Sequence, residues 1–285
     1  MPDKFVVVPP FGDVTLAMVS WKAPATLQHT LASYEKAGIL GLFGARRIHF
    51  NEMSTADEAL AARYGFTHTG TRANLGIFGA IDAIATTLTT PYVLSVENDC
   101  PLVTDRDGLL AMLGSALSDM ALLRVPVFTM RSRRMPGDEF SRRARYEERF
   151  QIVWPLGSDR RQRNAMTPWA TRLYEDLRRG TLRGCSLYAE EDPTLRHPRV
   201  IKKSPHGNWL TTSRYLNWSN NCVLVRSDFL RDVVLDRVRC HPAPTTLNGY
   251  QDIEAALKAN SWWRKQKFPM GQSEPGPFTH KRLDR

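Results

Sequence analysis

Nothing in these 285 residues marks a membrane span, a metal–cysteine module or a phosphate loop. No apolar run approaches the roughly 18 residues that a transmembrane helix needs. The opening MPDKFVVVPPFGD has neither a long apolar core nor the small-residue cleavage site of a secretory signal. The expectation is a cytoplasmic protein, at most peripheral at a membrane. The four cysteines, at 100, 185, 222 and 240, form no C-x-x-C, which argues against structural zinc. A chain of this size does not need a disulfide framework, so free thiols are expected. There is no G-x-x-x-x-G-K-[ST], GIFGA (76–80) lacks the G-x-G-x-x-G spacing, and no G-x-S-x-G elbow occurs. P-loop enzymes, dinucleotide-binding Rossmann enzymes and α/β-hydrolases are thereby disfavoured. With no internal repeat and no clear linker, residues 1–285 read as one domain with two unlike halves, 1–130 and 131–285.

What is present in excess is positive charge. Lys and Arg number 39 against 29 Asp and Glu, a formal net charge of +10. Such a surplus draws anionic partners such as nucleotides, phosphates, acidic glycans or an anionic membrane surface. The basic residues are spread out and match no nucleic-acid motif, so no specific nucleic-acid partner is expected. The arginine-rich stretch 131–150 reads as a solvated helix with acid–base pairs.

The first half alternates strand and helix. Residues 13–20 read as a strand. Pro24 opens a helix with Leu27, Leu31 and Tyr34 on one face, and 45–50 form a second strand. NEMSTAD (51–57) reads as a turn, followed by a short helix ended by Gly65 and a weak strand at 66–71. Asn74 is expected to cap a helix running to about Leu88, before the strand YVLSV. A helix over 105–118 and a strand over 120–128 follow. This alternation predicts an α/β fold with a mostly parallel sheet flanked by helices. The second half is less regular. Loops are expected at 155–168 and 188–208, a strand at 222–226, a helix over SDFLRDVVL and another over YQDIEAALKANSWW. The last residues show no periodicity.

Residues 97–99 pose the chemical question. Glu97 and Asp99 stand at the carboxyl end of an apolar strand, where ligands bind in open α/β sheets. One intervening residue in extended geometry turns both side chains the same way. Two carboxylates there repel unless a cation lies between them, and Mg2+ or Mn2+ suits such oxygen ligands. The plain alternative is that Asp99 starts a turn before Pro101 while Glu97 is solvated.

Four segments in order resemble a GT-A fold glycosyltransferase, of the nucleotide-diphospho-sugar transferase superfamily. VTLAMVSWKAPATLQHTLASY resembles that fold's first strand and helix, with Ser20 and Trp21 in the donor loop. HFNEMSTAD is similar to the family's V-D-D-G-S-T-D, with Asn51 where an aspartate is usual and Glu52 next. RANLGIFGAID resembles its N-x-G-x-x-x-A segment, with Asn74 and Gly76 in place. ENDC falls where the family has its Asp-x-Asp metal motif, with Glu97 as a departure, Asn98 between, and Asp99 matching. The resemblance implies residues 1–130 as a nucleotide-sugar half and 131–285 as an acceptor half. It implies a nucleotide-diphosphate sugar donor, a glycan, lipid-linked or other hydroxyl acceptor, and Mn2+ or Mg2+ as cofactor. Gln251–Asp252 resembles the acidic pair that often starts the acceptor-side helix, which makes Asp252 the base of an inverting transfer, with Glu254 as the reserve. His280 stands where a C-terminal histidine completes many GT-A metal sites. Tryptophans at 209, 218, 262 and 263 cluster late in the chain. Trp218 lies in the polar run NWSNNC, which marks Trp218, Asn220 and Asn221 for a sugar ring and its hydroxyls.

Other classes compete. A nucleotidyltransferase acting on sugar phosphates uses a similar sheet, but SWKAPAT lacks its glycine-rich basic signature. An anionic-polymer binder would owe its affinity to the +10 charge and lose it with salt. A non-catalytic transferase fold is the third reading, because Glu97, Asn51 and Gln251 all depart from the family pattern.

Overall fold

A computed structural model describes residues 9–137, 146–147, 181–243, 246 and 248–284. Most of the arginine-rich stretch, at 138–145 and 148–150, and the expected loop at 155–168 lie outside the described residues.

The first half builds a parallel four-stranded block. Strand β1 (Phe11–Trp21) is buried from Val14 to Ser20 because it lies between β2 (Phe43–Asn51) and β4 (Tyr92–Glu97), and β3 (Thr67–Gly70) is the outer strand. All three pairings are parallel. Helix α1 (Pro24–Lys36) starts at a proline, which is preset for a first helical turn, and it buries Leu27, Leu31 and Tyr34 as their spacing predicts. Helix α2 (Thr55–Arg63) starts three residues earlier than the composition of NEMSTAD implies, because Ser54 and Asp57 form a reciprocal capping box.

Two boundaries differ from expectation for identifiable reasons. Helix α3 spans Gly76–Ala85 and has no side-chain cap. Instead the Asn74 side chain accepts a hydrogen bond from the Gly76 amide at 2.7 Å, forming a tight local turn before the helix. Helix α4 (Arg106–Leu123) runs through the sequence expected to start a strand, until Arg124 takes a left-handed conformation. The strand β5 is only Val127–Thr129. Met120 ends the buried face of this helix, while Ala121, Leu122 and Leu123 form its exposed last turn, and a short apolar segment does not by itself tell helix from strand.

The second half extends the same sheet. The strands β6 (Lys202–Lys203), β7 (Trp209–Thr212), β8 (Val223–Arg226) and β9 (Pro269–Gln272) give the order β3-β2-β1-β4-β8-β5-β9-β7-β6. Because β8 is antiparallel to both β4 and β5, the sheet is mixed beyond its parallel block. A helical run follows β8, as Ser227–Phe229, a π-helical Leu230–Leu235 and Asp236–Cys240. The single helix expected over YQDIEAALKANSWW is broken. Helix α5 (Ile253–Lys258) stops, Asn260 and Ser261 adopt positive φ, and α6 (Trp262–Gln266) restarts.

Side chains alternate along the strands to serve a core on each face. Leu94 and Val96 join Leu27, Leu31, Leu109 and Leu113 on one side. Val93, Val223 and Val225 join Ile81, Ile84, Val234 and Trp263 on the other. The four cysteines are free, three of them buried. No helix among the described residues is long and apolar enough to cross a membrane.

The aperiodic tail is not a loose end. After β9 it crosses back over the parallel block as a strap. Phe278 is fully buried, bridges Leu102 and Arg131, and meets the Tyr34 ring edge-on at 5.9 Å. Truncating such an aromatic removes burial and leaves a cavity. We expect Phe278→Ala to lower unfolding free energy by about 3–5 kcal/mol in urea titrations. A loss below about 1 kcal/mol, the scale of an ordinary surface change, would mean that the strap is not docked.

Candidate active site

The end of β4 is held from behind. The Asn98 amide donates to the Val19 carbonyl at 3.1 Å, which extends the β1–β4 ladder past Glu97. The Asn98 side chain donates to the Ser20 hydroxyl at 3.2 Å, and the Thr30 hydroxyl of α1 donates to the Asn98 carbonyl at 2.7 Å. One turn further along α1, the Tyr34 hydroxyl donates to the Cys100 carbonyl at 2.7 Å. The backbone carrying Glu97 and Asp99 is therefore fixed by buried polar contacts.

The strap closes the site from the front. The Lys281 amide donates to the Asp99 carbonyl at 2.8 Å, and the Thr279 amide to the Pro101 carbonyl at 3.0 Å. These two bonds set His280 beside Asp99, with its Nε2 3.1 Å from the Asp99 carboxylate. Gly137 passes over the strap at φ +79°, so close that a Cβ there would lie 1.9 Å from the His280 carbonyl oxygen. Glu97, Asp99 and His280 each offer a ligand atom, and these atoms lie within 4.8 Å of one another. Two carboxylates and an imidazole are a donor set that fits Mn2+ and accepts Mg2+ through its oxygens. The sequence reading thus placed all three residues in what proves to be one cluster.

Glu97 and Asp99, with His280 behind them, line an open cleft of ≈ 220 Å3, a little under the roughly 300–1,000 Å3 of enclosed small-molecule pockets. Trp21, Asn51, Asn74, Gly76 and Asn98 also line it. Asn51 acts through the backbone. Its side chain accepts from the Leu75 amide at 3.0 Å and donates to the Gly76 carbonyl at 3.3 Å, which clamps the turn before α3. Gly76 sits at φ +69°, and a Cβ there would lie 2.3 Å from the Tyr250 side chain. Only glycine lets the two halves of the chain meet so closely at this point. Glu52 lies at the rim, where it accepts from the Trp21 indole at 2.6 Å and from Lys22 at 2.8 Å. Lys22 first, then Trp21, hold its carboxyl below the usual range. Glu52 and Lys22 both adopt positive φ, a strained geometry of the kind found at functional loops.

Five residues that the sequence reading did not single out line the cleft as well: the apolar Val19 and Ile77, and the polar Asn248, Tyr250 and Arg282. Arg282 lies two residues beyond His280 on the same strap, a relation that carries no signal until the strap is seen to be extended.

The acceptor-side residues are placed differently. Asp252 caps α5, with its two carboxylate oxygens accepting from the Glu254 and Ala255 amides at 3.2 and 3.1 Å. Gln251 lines the cleft while its side chain hydrogen-bonds the Ala243 backbone in both directions. Glu254 accepts from Lys258 at 2.5 Å on the same helix. Trp218 is a correction. It is buried, its indole donates to Asn220 at 2.9 Å, and its ring meets Trp263 edge-on at 5.8 Å. An aromatic ring committed to the core offers no face to a sugar. Neither Trp218, Asn220 nor Asn221 lines the cleft, and Asp252 and Glu254 stand just behind its lining, where their charges still reach Glu97.

Like charges dominate the floor. The Glu97 carboxyl is pushed from 4.5 up to about 8, first by burial, then by Asp99, Glu254 and Asp252, against an opposing pull from Arg282. A raised carboxyl means that the native state keeps a proton the unfolded chain has given up. Glu97's contribution to stability is thus fully present below about 4.5 and is lost as pH rises through about 8. In metal-free protein, the melting temperature of wild type should fall relative to Glu97→Gln across that window. Parallel pH profiles for the two proteins would contradict this electrostatic account.

No family model matches the sequence, and a search of curated proteins finds no significant match. Solved structures do match the fold. The chain is similar to S. aureus TarS 1–349 in complex with UDP-GlcNAc, at TM-score 0.51 and 10% identity, over 95% of this chain and 59% of that one. It is similar to a second structure of S. aureus TarS 1–349 at TM-score 0.50 and 11% identity, over 94% and 60%. A longer TarS structure gives 0.51 and 10%, over 94% and 36%. The chain therefore spans less than two thirds of each of these proteins. At such identity the likeness speaks for architecture alone, a mixed α/β sheet flanked by helices of the GT-A kind.

Proposed function

We propose that this protein transfers a sugar from a nucleotide-diphosphate sugar to a hydroxyl acceptor, with inversion, in the cleft above Glu97, Asp99 and His280. The observation that carries this reading is the convergence of those three side chains, one pair from a strand end and one from the strap, on a fold shared with a protein solved with UDP-GlcNAc. Glu97, Asp99 and His280 would hold Mn2+ or Mg2+, which when bound neutralises the departing diphosphate as a Lewis acid. The chain's own residues do the rest. Asn51 and Asn74 fix the backbone turn at Gly76 that forms the donor wall. Trp21 offers an aromatic face at the rim, held by Glu52.

Asp252 takes the proton of the attacking hydroxyl. Each of its oxygens accepts one amide bond, and a carboxylate retains further lone pairs for a proton. The cap also orients the carboxylate. Glu254, in the first turn of the same helix, is the second candidate. The acceptor is a glycan or lipid-linked hydroxyl, and the +10 surplus supports an anionic one, or one presented at an anionic membrane surface.

The test is a turnover assay. Purified protein with Mn2+ is given a panel of UDP- and GDP-sugars, and release of the nucleoside diphosphate is followed. Asp252→Asn keeps a good helix cap but removes the base, so turnover should fall roughly 10²–10⁴-fold with donor affinity nearly unchanged. Full activity in Asp252→Asn with loss in Glu254→Gln would move the role to Glu254. A product with retained anomeric configuration by NMR would overturn the inverting mechanism.

A further inference from the structure

Arg282 is the one cation among the described residues that line the cleft. It is positioned rather than free to wander. On one side the Lys281 amide is bonded to the Asp99 carbonyl at 2.8 Å. On the other, the Leu283 and Asp284 amides donate to the Thr26 hydroxyl at 2.9 and 3.1 Å, and the Thr26 amide donates to the Asp284 carboxylate at 3.1 Å. Between these anchors exposure alternates. His280 and Arg282 are partly buried, while Lys281 and Leu283 are exposed. The strap therefore presents His280 and Arg282 to the same side.

The guanidinium has no ion pair among the described residues, and its Nε is shielded from solvent without a hydrogen-bond partner. Leaving such a donor unmet is costly unless a ligand meets it. Its surroundings narrow the ligand. The neighbouring floor carries Glu97 and Asp99 and the rest of the lining is neutral, so Arg282 is the one full positive charge among the lining residues that an entering anion meets. A planar guanidinium matches a phosphate group with two parallel N–H···O bonds.

We infer that Arg282 is the chain's own contact to the donor diphosphate, gripping its outer phosphate group beside the Glu97–Asp99 floor. This assignment rests on the nucleotide-sugar reading above and deepens it. A simpler role, in which Arg282 only offsets the negative floor, makes a different forecast, because it gives no preference for the outer phosphate.

Calorimetric titrations separate the cases, using wild type, Arg282→Gln and Arg282→Lys with UDP, GDP, UMP and GMP in the presence of Mn2+, and with Mn2+ alone. For whichever nucleoside diphosphate wild type binds, Arg282→Gln should weaken affinity by about tenfold or more, the scale of a charge-assisted hydrogen bond. The matching monophosphate should lose less than about twofold, and Arg282→Lys, which keeps charge without the fork, should fall between. Equal loss for mono- and diphosphate, or no loss, would overturn the assignment. Loss of binding to Mn2+ alone would also overturn it, since Arg282 would then be acting by placing the strap. Wild type that binds neither UDP nor GDP would instead take down the nucleotide-sugar reading itself, and this assignment with it.

Discussion

The docking of the C-terminal strap across the parallel block is the constraint on which the site depends. Its main-chain bonds are few: Lys281 to Asp99, Thr279 to Pro101, and the pair of amides on Thr26. What makes them persist is the burial of Phe278 between Tyr34 and the strands. An aromatic of this size removes some 150–250 Å2 from water, about 4–6 kcal/mol at roughly 25 cal/mol per Å2, against about 0.5–1.5 kcal/mol net for any one hydrogen bond. The same Tyr34 that supports Phe278 donates to the Cys100 carbonyl. One helix thus fixes both the strand end and the strap, and the distance between Asp99 and His280 follows from that shared support.

A floor built this way carries an electrostatic cost. Glu97 and Asp99 sit together with Asp252 and Glu254 close enough to push the Glu97 carboxyl up, while Arg282 pulls it back. A protein that needed only a stable turn here would gain by replacing one of the acids. Their presence together in a cleft, at the carboxyl end of a central strand, fits a site whose charge is completed by a cation and an anionic ligand. The clamp of Asn51 on the Gly76 turn, and the near contact of Gly76 with Tyr250, tie that floor to the second half of the chain.

Much of this was legible in the sequence because local rules and position agree. The run YVLSV followed by Glu97 and Asp99 specifies a buried strand with acids at its end. Pro24 with Leu27, Leu31 and Tyr34 specifies a helix with one buried face. The segments around Asn51, Asn74 and Gly76 were legible as motifs, although Asn51 and Asn74 prove to act on backbone amides and carbonyls. What was not legible depends on long-range contacts. The tail has no periodicity because its residues answer to partners such as Asp99, Pro101 and Thr26, not to a helix or strand repeat of its own. Trp218 looked like a sugar platform because neighbouring asparagines made its stretch polar. The structure spends Asn220 on the Trp218 indole, which lets that ring enter the core. Arg282 was invisible for the converse reason, since a basic residue near the end of a basic chain looks like solvated surface until the strap turns it inward.

The central claim is that Glu97, Asp99 and His280 form one divalent-cation site. Its most direct test is a crystal structure grown with Mn2+ and UDP, with diffraction recorded at the manganese absorption edge. The account predicts a single strong anomalous peak in contact with all three side chains, lost in Asp99→Ala crystals grown under the same conditions. A peak held by other residues, or none at saturating Mn2+, would contradict it.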